Sequence, residues 1–299
     1  MSKIEELQAK IGNKGPVRIE AGLGSQPKIV VATDQASAEI YLHGAHVTHF
    51  QPRDETPVIF LSSTSVFDGH KPIRGGIPLV FPWFGPRADM PALPPHGFAR
   101  TRPWDLESCD VRPDRSVQIV LTTAQDETTL RLWPHTFSLR LIVIVSDALD
   151  VTLEVKNTSQ TSFRFEEALH TYLAVADIRK ITVDGLHGSD YIDRTDGEKR
   201  KKEEAKELGF AGETDRLYLT SAAKVTVHDP VLRRSIIVEK RHSDATVVWN
   251  PWNQKAAQMA DMGPDEWQKM VCVETANART CAVELAAGAT HRMSTRILA

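Results

Sequence analysis

Leu149-Asp150-Val151-Thr152-Leu153-Glu154-Val155-Lys156-Asn157 alternates strictly between apolar and polar side chains. Successive side chains of a strand point to opposite faces, so a period of two predicts a half-buried antiparallel strand with its valines and leucines inward. The texture continues in both directions. Residues 117–122 and 136–145 read as strands, and Ser146-Asp147-Ala148 reads as the turn into the quoted stretch. Phe163 and Phe165 open a further strand that leads into Glu166-Glu167-Ala168-Leu169-His170-Thr171-Tyr172-Leu173.

Working outward, 28–33 is a β-branched run, and 38–42 and 46–50 flank a His43-Gly44 turn. Short strands are predicted at 181–184, 217–220, 224–228, 235–240, 246–249, 270–274, 280–285 and 291–298. Helical signals are few. Ser2-Lys3-Ile4-Glu5 has capping-box spacing and predicts a helix over 2–11. Pro264-Asp265-Glu266-Trp267-Gln268 places proline ahead of acids, the pattern of a helix start. The mixed charge run over 198–207 reads as a solvated loop or helical turn. Many short strands, no βαβ alternation and no fixed-period repeat predict a large all-β sandwich or barrel with a few short helices. No linker interrupts it, so the expected division is an N-terminal helix and lead-in over 1–27 and one domain over 28–299.

The 299 residues carry a formal net charge of −3, which offers no basic footprint for nucleic acid or an anionic membrane. Neither a signal peptide nor a run of ~20 apolar residues is visible, so no membrane span is expected. Three cysteines, none in a CxxC pair, suit a reducing, cytoplasmic setting. Cys272 and Cys281 alternate with apolar neighbours and read as buried small hydrophobes. Without an apolar heptad or long apolar patch, a monomer is expected.

Chemistry concentrates in three places. The first is Pro72-Ile73-Arg74-Gly75-Gly76-Ile77-Pro78-Leu79-Val80-Phe81-Pro82-Trp83-Phe84-Gly85-Pro86-Arg87, which runs on to Pro95-His96-Gly97-Phe98-Ala99-Arg100. Glycine lets backbone approach a ligand and proline stiffens the approach, but a buried connector fits the pattern equally. The second is His170, a proton donor or acceptor near neutral pH or else a satisfied core histidine. The third is Glu274, costly inside an apolar strand unless paired or working, or else a strand-end residue facing solvent. An acidic pair with Glu166 or Glu167 would also suit a glycoside hydrolase. His43, His46 and His49, three apart, do not share one strand face, so no metal site is expected there.

Residues 73–85 resemble the signature of the hexose-6-phosphate mutarotases, the glucose-6-phosphate 1-epimerase branch of the aldose 1-epimerase family. His96-Gly97-Phe98-Ala99-Arg100 with Trp104 is similar to the family's next block, and residues 165–173 to the block bearing its catalytic histidine. Val183-Asp184-Gly185-Leu186, Tyr191-Ile192-Asp193, Glu213-Thr214-Asp215-Arg216-Leu217-Tyr218 and Val247 with Trp249-Asn250-Pro251-Trp252 continue in family order. Met270-Val271-Cys272-Val273-Glu274 resembles the block with the catalytic glutamate. The resemblance spans about residues 28–298.

The resemblance implies a galactose-mutarotase-like β-supersandwich that interconverts the anomers of an aldohexose 6-phosphate, with no metal or organic cofactor. The partner is then a small sugar phosphate. Glu274 is expected as base at O1 and His170 as acid at the ring oxygen, with Glu166 or Glu167 helping to protonate the histidine. Arg74 and Arg100 are expected on the phosphate, since a guanidinium fork matches its oxygens, with Arg87 a weaker third. Asp215 is expected on sugar hydroxyls and His96 in the pocket wall. Trp83, Trp249 and Trp252 offer either an apolar face to the ring or core packing. The branch often carries glutamine before the His-Gly pair; here Pro95 supplies neither a side-chain amide nor an N–H. Two other readings remain at this point: a mutarotase for unphosphorylated aldoses, and a non-catalytic carbohydrate-binding or sensing protein.

Overall fold

A computed structural model describes residues 3–12, 15–87, 90–219 and 224–299. Ser2, invoked for the first helix cap, and the end of the predicted 217–220 strand lie outside them. The quoted stretch is the strand Leu149–Asn157, with Leu149, Val151, Leu153 and Val155 fully buried. It lies between Phe137–Val145 and Thr290–Leu298 in a nine-stranded sheet. Glu154 departs from the simple alternation. It is buried on the outer face because Arg140 and Arg292 close over it with bonds of 2.8 and 2.5 Å.

A second sheet of eight strands runs Lys199–Lys202, Asp190–Asp193, Thr214–Leu219, Ala245–Asn250, Met270–Asn277, Glu167–Leu169, Leu79–Val80, with Tyr172–Ala174 also on Met270–Asn277. Four further strands, from Val17–Ala21 to His46–Pro52, form their own sheet, so the lead-in before residue 28 contributes a strand. Every ladder between named strands is antiparallel among the described residues. A two-stranded sheet pairs Phe163–Phe165 with Val283–Leu285, and apolar side chains from all four sheets merge into one core. No helix among the described residues is long and apolar enough to cross a membrane.

Lys3–Ile11 is helical as expected. Two short helices went unread: Glu127–Leu132, capped reciprocally by Asp126 and Thr129, and Trp252–Ala256. The expected helix at 264–268 is only a 3-10 turn, Glu266–Lys269. Asp265 adopts a left-handed φ of 58°, and the Glu266 carboxylate turns back to Ser62 Oγ at 2.6 Å and the Ser63 N–H at 2.9 Å. The charge run is a loop only over 203–206: Lys199–Lys202 is an edge strand whose Arg200 and Lys201 meet Asp190 and Asp193 across the ladder, both at 2.7 Å. Lysine-rich edges resist pairing with another chain. Cys272 is buried as expected, whereas Cys281 is partly exposed.

Candidate active site

Met270–Asn277 is the central strand of the eight-stranded sheet, and every one of its residues is buried. Burial on both faces explains why it reads as a nearly continuous apolar run, and why Glu274 stands out within it. On one side it pairs with Glu167–Leu169 (Leu169 opposite Thr275) and then with Tyr172–Ala174 (Tyr172 opposite Cys272). The two registers agree, so His170, in the gap between these short strands, stands across from Glu274. On its other side Val247 faces Glu274 and Trp249 faces Cys272, and Asp215 lies beyond Trp249. Paired residues share a face and alternate residues repeat it. One face therefore carries His170, Glu274, Tyr172, Cys272, Trp249 and Asp215.

His170 Nε2 lies 3.2 Å from Glu274 Oε1, with the two residues 8% and 1% exposed. His170 Nδ1 and Glu274 Oε2 are buried and have no hydrogen-bond partner among the described residues. Buried polar atoms are nearly always bonded, so lone ones in a face of this kind point to a ligand. Burial drives the glutamate well above the ordinary carboxylate range, with the charge of Asp215 adding to it. Burial likewise drives His170 well below an ordinary histidine, and the cations of Arg100 and Arg74 push the same way. The Tyr172 ring stacks on His170 at 5.0 Å, and Trp249 meets it edge-on at 6.1 Å.

The glycine- and proline-rich stretch is the wall of this face. Its backbone runs alongside 170–172: the His170 N–H donates to Pro78 O at 3.0 Å and the Tyr172 N–H to Gly76 O at 2.9 Å. Arg74 is thereby brought to the site, where it donates to the Tyr172 hydroxyl at 2.9 Å and to Asp261 at 3.1 Å. Burial opposes its charge, but Tyr172 and Asp261 outweigh that and its pKa rises. Gly97 holds the next turn at φ 70°, with Phe81 O only 1.9 Å from where a Cβ would sit, so this position admits glycine alone. That turn delivers His96, whose ring lies 5.7 Å from His170 and whose Nδ1 accepts the Gly85 N–H at 3.3 Å. Burial, then Arg100, keeps His96 well below the usual histidine range and hence neutral.

Arg100 is held from behind, its Nη2 donating to Pro95 O at 2.9 Å. Pro95, exposed and without a side-chain donor, thus acts through its carbonyl. Burial lowers Arg100 to about 10, the charge of Arg74 adding to the effect and Tyr172 working against it. The charge of Arg74 thus disfavours that of Arg100, a condition that a nearby anion would ease.

Asp215 also lies at the site, raised by burial despite Arg194 at 3.5 Å. Arg194 was missed in the sequence. Its guanidinium sits 5.6 Å from the Phe84 ring and its charge reaches His96, His170 and Glu274. The only signal for it was its place directly after Tyr191-Ile192-Asp193.

Several expectations need correction. Neither Glu166 nor Glu167 serves His170. Glu166 accepts the Phe84 N–H at 2.7 Å and the Arg279 N–H at 2.6 Å, while Glu167, fully buried, binds His291 at 2.8 Å and Asn277 at 2.9 Å. The acid beside His170 is Glu274 itself, a mid-strand residue and not a strand-end one. Arg87 lies over the Trp83 ring at 5.6 Å, away from the pair. Trp83 Nε1 is bonded to Pro94 O at 3.0 Å, and Trp252 packs on Trp267 at 4.6 Å, so of the three tryptophans only Trp249 borders His170. His43, His46 and His49 go separately to Lys71 O, Gly75 O and Ser37 Oγ.

The antiparallel supersandwich thus sets His170 beside Glu274 of its central strand, in a buried pair ringed by arginines and an aspartate. The aldose 1-epimerase family model matches residues 27–298. A proposed glucose-6-phosphate 1-epimerase of Escherichia coli K12 is 37% identical over 263 residues, covering 88% of this chain and 87% of its own. One from Cenchrus ciliaris is 34% identical over 261 residues, covering 85% and 78%. The crystal structure of a proposed mutarotase from Salmonella typhimurium superposes with a TM-score of 0.89 at 31% identity, covering 99% of both chains. The chain belongs to the aldose 1-epimerase family and is an isomerase-class mutarotase.

Proposed function

We propose that this protein interconverts the α and β anomers of an aldohexose 6-phosphate, glucose 6-phosphate foremost, with Glu274 as base and His170 as acid. The observation that carries the reading is the buried His170–Glu274 pair, 3.2 Å apart, with Arg74 and Arg100 acting on it. Anomerisation moves two protons between oxygens attached to one carbon, which calls for an acid and a base side by side. Glu274 takes the proton of the C1 hydroxyl as the C1 carbonyl forms. The bond from C1 to the ring oxygen breaks, and that oxygen takes the proton of His170. Rotation about C1–C2 turns the other carbonyl face toward the hydroxyl. Closure returns one proton to His170 and the other from Glu274 to O1, leaving the enzyme unchanged.

Each transfer typically contributes ~10²–10⁴-fold in rate. Arg74 and Arg100 hold the phosphate as charge-assisted donors, and Asp215 accepts from the sugar hydroxyls. The arginine charges that depress His170 are balanced when a phosphate dianion arrives, so binding the correct substrate favours the protonated acid. Names given to relatives at 34% and 37% identity point to the same substrate. Anomer-exchange NMR on glucose 6-phosphate and on free glucose tests the reading. Faster exchange of the phosphate ester is expected. Equal acceleration of both would mean an unphosphorylated substrate, and acceleration of neither a non-catalytic protein.

A further inference from the structure

Cys272 lies on the catalytic face without a part in proton transfer. One donor atom each from His170, Cys272 and Glu274 lies within 4.8 Å of the other two, and all three residues are buried. The strand register causes this: residues 272 and 274 share a face, and His170 stands opposite 274. Glu274 Oε2 is buried and unbonded among the described residues, so the carboxyl has lone-pair capacity left over, while His170 Nδ1, likewise unbonded, is the nitrogen that carries the ring proton when Nε2 takes a cation.

We propose that His170, Cys272 and Glu274 form an inhibitory site for a thiophilic divalent cation, zinc being the type, whose occupation excludes the sugar. Nitrogen, sulfur and carboxylate oxygen are the donors zinc accepts, and three protein ligands leave the fourth tetrahedral position open. Bonds of ~2.0–2.3 Å place tetrahedral donors about 3.5 Å apart. His170 Nε2 and Glu274 Oε1 already meet this at 3.2 Å. The widest separation the group allows, 4.8 Å, leaves about 1 Å for side-chain torsions to close. On coordination the Cys272 thiol becomes a thiolate and the protonated Glu274 carboxyl a carboxylate, both protons leaving to solvent, with no change of oxidation state. Thiolate and carboxylate together balance the dication, which answers the repulsion from Arg74, Arg100 and Arg194. Magnesium and calcium, which take oxygen ligands, do not match the donors.

The site shares His170 and Glu274 with the proposed mutarotase chemistry, but metal binding is measurable without turnover. Equilibrium dialysis of the full chain against Zn²⁺ is expected to give one zinc per chain, displaced by glucose 6-phosphate and not by Mg²⁺. Cys272→Ala and Cys272→Ser, checked for folding by near-ultraviolet circular dichroism, are expected to bind at least about tenfold more weakly. Cobalt(II) in the wild type is expected to give a thiolate charge-transfer band that both variants lack. Zinc affinity unchanged in a folded Cys272 variant, no cobalt–thiolate band, or zinc that glucose 6-phosphate cannot displace from a protein that does accelerate its anomer exchange would each overturn the proposal. Cysteine-dependent zinc binding in a protein that accelerates no anomer exchange would support the metal site while refuting the mutarotase reading.

Discussion

Replacing Arg74 by alanine separates phosphate recognition from chemistry. The guanidinium already spends two donors, on the Tyr172 hydroxyl and on Asp261, and its Nε is buried without a partner among the described residues. A hydrogen bond to a charged group is worth about 1.5–3 kcal/mol, so losing one bond to phosphate costs about 10- to 150-fold in kcat/KM for glucose 6-phosphate. The loss falls mainly on KM if the bond is the same in the bound and transition states. Free glucose has no phosphate to lose. For it the variant differs in another way: Arg74 is among the charges depressing His170, so its removal lets the acid hold its proton to higher pH. The basic limb of the pH–rate profile, where the acid deprotonates, therefore moves upward, as a property of the coupled pair and not of one residue. Exchange NMR on both sugars across pH reads all three quantities. Equal losses on glucose and glucose 6-phosphate would show that Arg74 does not read the phosphate. A basic limb that stays put or moves down would refute the electrostatic argument.

His170→Asn keeps polarity and Glu274→Gln keeps both size and polarity at two buried positions, so each is expected to fold while losing about 10²- to 10⁴-fold in rate; wild-type-like exchange by either would sink its assignment. Lys240 offers a test of stability apart from the site. Its ammonium donates to Ala245 O at 2.8 Å and Thr246 Oγ1 at 2.7 Å, yet burial lowers it to about 8. The unfolded chain keeps this proton to about pH 10.4, so between the two values it binds more protons than the native state and stability rises with pH. Lys240→Met is expected to remove that rise, by up to about 3 kcal/mol, in urea titrations compared at about pH 7 and about pH 10. An identical pH dependence in the variant and the wild type would refute the burial argument.

The fold was legible because most strands carry one signal each. Phe137–Val145 alternates buried and half-buried side chains along its whole length, and period two is hard to mistake. Legibility failed where a local pattern was overruled from a distance. Glu266 has the composition of a helix start, but Ser62 and Ser63, about 200 positions away, claim its carboxylate. Lys199–Lys202 looks like a solvated charge run, and only Asp190 and Asp193 across the ladder make it a strand. The site divides the same way. His170, Glu274, Arg74, Arg100, His96 and Asp215 sit in quotable blocks, and the structure brings all six to one place. Arg194 and the assignment of Glu166 and Glu167 depend on which neighbour a side chain finds, information that no single block contains.

Taken as sequence blocks, the arginine-rich stretch and the His–Glu pair look like separable halves, one for specificity and one for chemistry. The electrostatics argue against that division. Burial alone pushes His170 and Glu274 toward their neutral forms, the wrong state for an acid and a base about to exchange protons with one acetal. The charges of Arg100 and Arg74 make the protonated histidine scarcer, and the charge of Arg74 also disfavours that of Arg100. On the proposed hexose-phosphate reading, a phosphate dianion between the arginines would relieve this. The protonated histidine would then be stabilised most with the phosphate seated, so the group read for specificity would also set the proton in place. Pro95 fits this logic: its carbonyl holds Arg100 toward the site at 2.9 Å, a task that needs no side-chain amide.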